Sequence, residues 1–552
     1  MLIEIERLTF RYNGTAKPAL REVSLTIKNG EFVLVTGPSG GGKSTLGRCL
    51  NGLVPHFHGG DITGTVRVQG LSPIERPPQG MAIKVGMVFQ DPENQLVAMD
   101  VEREIAFGME NLGFERKLIV KRIEEVMDAL GIADLRSRPI HDLSGGEKQK
   151  VAIAAVLALH PEVLVLDEPT SELDPKSAEE VLTAVQRLND DLGITVILIE
   201  HRLDRVIHMV DRIVIMHEGR VAADGAPRQV MGMGELPALG IGTPPVVTLA
   251  RKFKEEVIPL TVKEARIAFE PFFHGGTGGH PRRNGHSCAG TEIIRMDRVS
   301  YAYVEGRAAL RGVSLSIGEG EFVAVMGRKA SGKTTLLKHM NGLLKPVKGT
   351  VTVAGIDTKR APVPKLARSV GFVFQNPNDH LFADTVEEEI AFTLRNHGVM
   401  GKEASERVDE TLERFRLREY RRQYPRSLSG GERERVALAS VIVANPKVLL
   451  LDEPTRGMDH TLKTELMALL NDYRRRGNTV VLATHDVETA AEYADRVILL
   501  SEGRVVMDDS ARKVLSGALF FSPQINRLVQ SFASRGIPGD ILTVDEALAF
   551  IT

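Results

Sequence analysis

Three motifs occur twice in this chain, in the same order and almost the same register. Gly37, Pro38, Ser39, Gly40, Gly41, Gly42, Lys43, Ser44 and Thr45 return as Gly327, Arg328, Lys329, Ala330, Ser331, Gly332, Lys333, Thr334 and Thr335. Leu143-Ser144-Gly145-Gly146-Glu147 returns as Leu428-Ser429-Gly430-Gly431-Glu432, and Leu166-Asp167-Glu168-Pro169-Thr170 as Leu451-Asp452-Glu453-Pro454-Thr455. From Lys43 to Lys333, Ser144 to Ser429 and Glu168 to Glu453 the separations are 290, 285 and 285 positions. Units this long are duplicated domains, since solenoid repeats run to about 20–50 residues. Leu260-Thr261-Val262-Lys263-Glu264-Ala265 is echoed by Leu542-Thr543-Val544-Asp545-Glu546-Ala547, which predicts a small C-terminal appendage on each half.

Between the halves, Phe272 to Gly290 is rich in glycine and polar residues and reads as a flexible linker. His274, His280, His286 and Cys288 lie within it at spacings that match no tight metal-ligand pattern. Two cysteines among 552 residues exclude a disulfide framework and a Cys₄ metal centre, which fits a reducing compartment. The 70 Lys+Arg against 72 Asp+Glu leave a net charge of −2, without the basic excess of a broad nucleic-acid binder. No apolar stretch approaches the ~20 residues that span a bilayer. The N-terminal Met1-Leu2-Ile3-Glu4-Ile5-Glu6 places acids where an export signal carries basic residues. The chain is therefore expected to be neither exported nor membrane-spanning by itself.

Short β-branched runs alternate with helical patterns in each half, which predicts an α/β fold with a mainly parallel sheet and ligands at its carboxyl edge. The segment from about Asn94 to Leu143 reads as amphipathic helix, a helical subdomain inserted in that core. The pattern G-x-x-x-x-G-K-[S/T] between a strand and a helix is a P-loop, whose backbone N–H groups wrap phosphates. Lys43 and Lys333 then reach the β- and γ-phosphates of a nucleotide, and Ser44 and Thr334 hold Mg²⁺. Asp167 and Asp452 close apolar strands where they support the Mg²⁺ shell, leaving Glu168 and Glu453 to polarise an attacking water. Strand-end acids also serve as simple helix caps. Their recurrence in register with the glycine-rich loops favours the phosphate role.

Both halves resemble the ATP-binding cassette (ABC) ATPase domain, whose signature is Leu-Ser-Gly-Gly-Glu, and two copies of its motif set cover nearly the whole chain. The resemblance implies two P-loop NTPase domains, 1–240 and 293–530. Residues 241–292 form the first appendage with the linker, and 531–552 form the C-terminal appendage. It further implies that Ser144, Gly145 and Gly146 cap the nucleotide held by the second P-loop, and Ser429, Gly430 and Gly431 that held by the first, making an intramolecular pseudo-dimer. Tyr12 and Tyr303 match the aromatic that stacks on adenine. Gln90 and Gln375 match the glutamine that senses Mg²⁺ and water, His201 and His485 the switch histidine, and Asp174 and Asp459 the interface-loop aspartates.

The second P-loop departs from the family. Ala330 stands where glycine is usual, and Arg328 and Lys329 replace small or polar residues. A Cβ at a position needing positive φ costs on the order of 1 kcal/mol, so unequal sites are expected, the second tuned rather than dead. Glu172 and Arg456 are further departures, in the interface loops.

The stretches Gly86 to Val97 with Glu104 to Gly113, and Gln375 to Phe382 with Glu389 to Phe392, resemble the ATPases of energy-coupling factor (ECF) transporters, which import vitamins and metal ions. That resemblance implies a peripheral ATPase on the cytoplasmic face of the cell membrane. Its partners would be an integral ECF transmembrane protein and a substrate-binding membrane component. Soluble ABC proteins that act on ribosomes or DNA carry cysteine-rich clusters, zinc modules or long basic linkers, and none is found in this sequence. Tandem sugar-importer ATPases often lack the second hydrolytic glutamate, whereas Glu453 is intact.

Overall fold

The structure, a computed structural model, describes residues 1–171, 173–255, 257–273, 291–304, 306–455, 457–519 and 521–551. The linker's His274, His280, His286 and Cys288, and the interface-loop Glu172 and Arg456, lie outside the described residues. The chain forms two compact units, Met1–Thr261 and Val262–Thr552, with the short segment Asp459–Thr461 grouped with the first. No helix among the described residues is long and apolar enough to cross a membrane.

The strands of the first half are β1 (Ile3–Tyr12), β2 (Leu20–Ile27), β3 (Phe32–Thr36), β4 (Gly60–Val68), β5 (Val85–Val88), β6 (Val163–Asp167), β7 (Thr195–Ile199), β8 (Arg212–His217) and β9 (Arg220–Gly225). β2-β1-β4 make an antiparallel sheet, and β5-β6-β7-β3-β8-β9 a second sheet that is parallel except for its β8–β9 edge. The central strands are apolar at consecutive positions because helices cover one face of their sheet and the small sheet's side covers the other. Phe32, Leu34, Leu164, Leu166, Val196 and Leu198 point into one core; Val33, Val35, Val163, Val165, Ile197 and Ile199 point into the other. This is the two-residue alternation of a strand.

The second half repeats the plan with β10 (Glu292–Val304), β11 (Arg307–Gly318), β12 (Phe322–Met326), β13 (Lys348–Val353), β14 (Ile356–Asp357), β15 (Val370–Val373), β16 (Val448–Asp452), β17 (Thr479–Ala483), β18 (Arg496–Ser501) and β19 (Arg504–Ser510). Its sheets run β11-β10-β13-β14 and β15-β16-β17-β12-β18-β19. The expected α/β class holds in both halves.

The helical insertion is also as expected. Helices Val101–Asn111 and Arg116–Ala129 fill the first, Val386–Asn396 and Gly401–Arg414 the second. The two echoed appendage segments pack together within the second unit. Helix Val262–Phe269 lies on helix Gln524–Val529, and Phe273 stacks on Phe532 at 4.7 Å between ring centroids. Glu270 pairs with Arg535 at 2.7 Å.

Candidate functional site

In the parallel sheet β6, β7 and β3 are neighbours in register, with Asp167 opposite Ile199 and Ile199 opposite Val35. Their carboxyl ends therefore deliver the P-loop, the Asp167–Glu168 pair and His201 to one edge. Gly37 takes a φ of +149°, and a Cβ there would sit 2.0 Å from the Met216 carbonyl oxygen. Gly42, with φ +97°, faces the Ala19 carbonyl the same way at 2.5 Å. Both positions admit only glycine. Gly40 (φ +73°) has open space, while Gly41 is pressed between the Met216 and Pro38 carbonyls. Ser39 is exposed at the loop's rim.

Lys43 opens helix Lys43–Leu50 and is buried; its Nζ donates to the Gly37 and Pro38 carbonyls at 2.9 and 2.8 Å. Burial lowers its pKa, opposed by the charge of Glu168. Ser44 Oγ donates to Asp167 Oδ1 at 3.0 Å, and burial raises the Asp167 carboxyl. Glu168 is met on both oxygens, by His201 Nε2 at 2.8 Å and by Gln90 Nε2 at 3.1 Å. Burial pushes the Glu168 carboxyl up, but the His201 hydrogen bond and the charges of His201 and Lys43 outweigh it and hold the group below its ordinary value. Tyr12 and Thr45 share a hydrogen bond at 3.0 Å.

The second half reproduces most of this. Lys333 Nζ donates to the Gly327 and Arg328 carbonyls at 2.9 and 3.2 Å and lies 3.9 Å from Glu453. A Cβ on Gly327 would meet the Leu500 carbonyl at 2.3 Å, and one on Gly332 the Ala309 carbonyl at 2.7 Å. Tyr303 and Thr335 approach to 3.2 Å. Gln375 is exposed beyond β15, as Gln90 is beyond β5. Glu168 and Glu453 both have positive φ, +50° and +54°, a backbone setting that costs free energy and is retained at both strand ends.

Differences are equally definite. Ala330 has φ +61°, matching Gly40, so the expected left-handed Cβ is present. Ser331 Oγ is buried without a hydrogen-bond partner where Gly41 has no side chain. His485 meets Glu453 through Nδ1, at 2.7 Å, where His201 uses Nε2.

Ser144 and Ser429 begin helices Gly145–Leu157 and Gly430–Ile442 with capping boxes closed by Glu147 and Glu432. Gly146 packs where a Cβ would come within 2.8 Å of Ser177; Gly431 faces Leu462 at 3.0 Å. Gly145 and Gly430 supply the first turn of each helix. Asp174 caps helix Pro175–Leu192 through the Lys176 and Ser177 N–H groups, and Asp459 is buried just before helix His460–Arg475.

A Mg²⁺ ion fits the donors of this edge. Asp452 Oδ1 is buried without a hydrogen-bond partner, and the side-chain bond from Thr334 reaches the same carboxylate. Ser44 and Asp167 make the corresponding pair in the first half. No cluster of three His, Cys, Asp or Glu suited to a metal occurs among the described residues. Such a sparse oxygen set suits an ion that brings water and phosphate ligands with it.

One pair of acids and one further acid were not legible in the motifs. Glu104 is buried and accepts the Val97 and Ala98 N–H groups at 2.8 and 2.6 Å; Glu389 accepts those of Phe382 and Ala383, each at 2.8 Å. Their signal was the repeated Glu-Ile-Ala-Phe, but an acid in a helix's first turn ordinarily interacts with the helix dipole in solvent. Glu200, immediately before His201, is the further acid, and its counterpart Thr484 carries no charge.

The paired edges define two P-loop ATPase cassettes in one chain. Residues 20–171 and 310–456 match the ABC transporter family model. A Methanosarcina mazei protein named as an ABC transporter ATP-binding protein is 37% identical over 100% of this chain and 97% of its own length. A Streptomyces avermitilis protein described in the same way is 41% identical over 96% of this chain and 97% of its own. Among solved structures, cbiO1 of Clostridium perfringens, described as part of the ABC transporter complex cbiONQ, is 34% identical. It covers 44% of this chain and 96% of its own, with a TM-score of 0.39. The chain belongs to the ABC transporter ATP-binding proteins, a family of ATPases, and carries two cassettes.

Proposed function

We propose that this chain binds and hydrolyses ATP to energise a membrane importer of the ECF type, for a vitamin or transition-metal ion, from the cytoplasmic face of the membrane. One observation carries the partner half of the proposal. In each cassette the segment just after the sensing glutamine presents exposed apolar side chains on a braced loop. In the first, Val97 and Met99 are 64% and 77% exposed beside the loop that Glu104 fastens. In the second, Phe382 and Phe392 form an exposed ring pair, 4.6 Å between centroids, beside Glu389. Exposed apolar residues on a stiffened loop suit an apolar partner helix.

Within each cassette the P-loop binds the phosphates, Tyr12 or Tyr303 faces the base, and His201 or His485 orients the glutamate. Glu168 or Glu453 accepts the proton of an attacking water. Ser44, Asp167 and Gln90, and Thr334, Asp452 and Gln375, would hold Mg²⁺, which neutralises phosphate charge when bound. The proposal includes pairing of the first P-loop with Ser429–Gly431 and of the second with Ser144–Gly146, two nucleotides per chain.

Purification of the tagged full chain from detergent-solubilised membranes, with identification of bound integral proteins, tests the reading. Recovery of a stoichiometric integral partner that stimulates ATP turnover is expected. Recovery with ribosomes or DNA and no membrane protein overturns it.

A further inference from the structure

Glu200 is 2% exposed, directly before His201. Its backbone N–H donates to the Val35 carbonyl at 3.3 Å, carrying β7 one residue further along the strand that feeds the P-loop. Its Oε1 accepts the N–H groups of His201 at 2.8 Å and Arg202 at 3.2 Å. Its Oε2 accepts the hydroxyl of Thr170, two residues beyond Glu168. One carboxylate thus fastens the loop bearing His201 to the segment leaving Glu168, and three donors offset the cost of burying its charge.

The second cassette places Thr484 here, 1% exposed, with the same backbone bond to Val325 at 3.0 Å. Its hydroxyl accepts the Asp486 N–H at 3.0 Å. A hydroxyl is too short to bridge two loops as the Glu200 carboxylate does. Consistent with loops held differently, His201 faces its glutamate through Nε2 and His485 through Nδ1.

We infer that Glu200 is a positioning residue of the first ATP site, fixing His201 against Glu168, and that the second site lacks this brace. The inference rests on the hydrolytic reading of Glu168 and His201. A misplacement of reacting groups by a fraction of an ångström lowers kcat while leaving ground-state binding intact.

The test uses the full chain carrying Glu453→Gln, so that turnover reports the first site. Glu200→Thr, which installs the residue of the other cassette, is expected to lower kcat about tenfold with KM within about twofold. Glu200→Gln is expected to recover most of the rate, because an amide oxygen accepts the same two N–H groups and its NH₂ donates to Thr170. Should Glu200→Thr fail to fold, Thr170→Val removes the brace alone and is expected to lower kcat severalfold. The inference is overturned by a kcat within about twofold of the parent in the folded variants, or by losses that Glu200→Gln does not recover. Glu168→Gln in the same background separates the two levels. If it spares turnover, the hydrolytic reading falls and takes this inference with it; if it abolishes turnover while Glu200→Thr does not lower it, the inference alone fails.

Discussion

His201 Nε2 lies 2.8 Å from Glu168 Oε1, and this contact works against the burial of the carboxylate. Burial alone raises the Glu168 carboxyl, and the histidine is the larger of the forces that reverse it below its ordinary value of 4.5. A carboxylate with a depressed folded value lends stability above 4.5 and loses it as pH falls through that depressed value. His201→Ala is therefore expected to move Glu168 upward and to cut turnover by about tenfold or more. The acid limb of the pH–rate profile should shift to higher pH in the remaining activity.

Ala330 holds a φ of +61° that Gly40 meets without a Cβ. Ala330→Gly is expected to stabilise the chain by a few tenths to about 1 kcal/mol, relieved strain exceeding the added unfolded-state entropy. Gly40→Ala should destabilise by a similar amount. Urea denaturation of the two variants against the parent checks the signs.

Glu434, in the helix opened by Ser429, is pushed up to about 8 by burial, and its Oε1 has no hydrogen-bond partner. The folded chain holds this proton between its ordinary value of 4.5 and about 8, while the unfolded chain has released it. Stability therefore falls as pH rises through that window and levels off above it. Glu434→Gln, which installs the residue found at Gln149, should remove the slope. Its stabilising effect should be near zero at the lower limit and largest at about pH 8, where a gain of several degrees in Tm is expected.

The motifs were legible because phosphate chemistry demands fixed residues at fixed spacing: glycines where Met216 and Leu500 carbonyls crowd the loop, a lysine to fill it, acids at strand ends. Duplication made the cassette plan equally plain. Glu104, Glu389 and Glu200 were not legible, because their roles depend on backbone N–H groups brought in by the fold rather than on neighbours in sequence. The packing of both appendages within one unit was hidden for the same reason, since Phe273 and Phe532 meet across 259 positions.

Glu104→Ala or Glu389→Ala frees two backbone N–H groups each and loosens the loops that carry Val97 and Phe382. Basal ATP turnover of the isolated chain should stay within about twofold, the effect of a substitution outside the reacting groups. Stimulation by the membrane partner should fall severalfold. Side-by-side turnover assays with and without the partner measure it.

Hydrolysis by both cassettes is tested most directly by phosphate release from the full chain carrying Glu168→Gln and Glu453→Gln together, alongside ATP binding. The P-loops, Lys43 and Lys333 are untouched, so ATP affinity is expected to remain near that of the parent while turnover falls by about 10²-fold or more. Near-normal turnover in this variant would contradict the assignment of both glutamates and the twin-site ATPase they define.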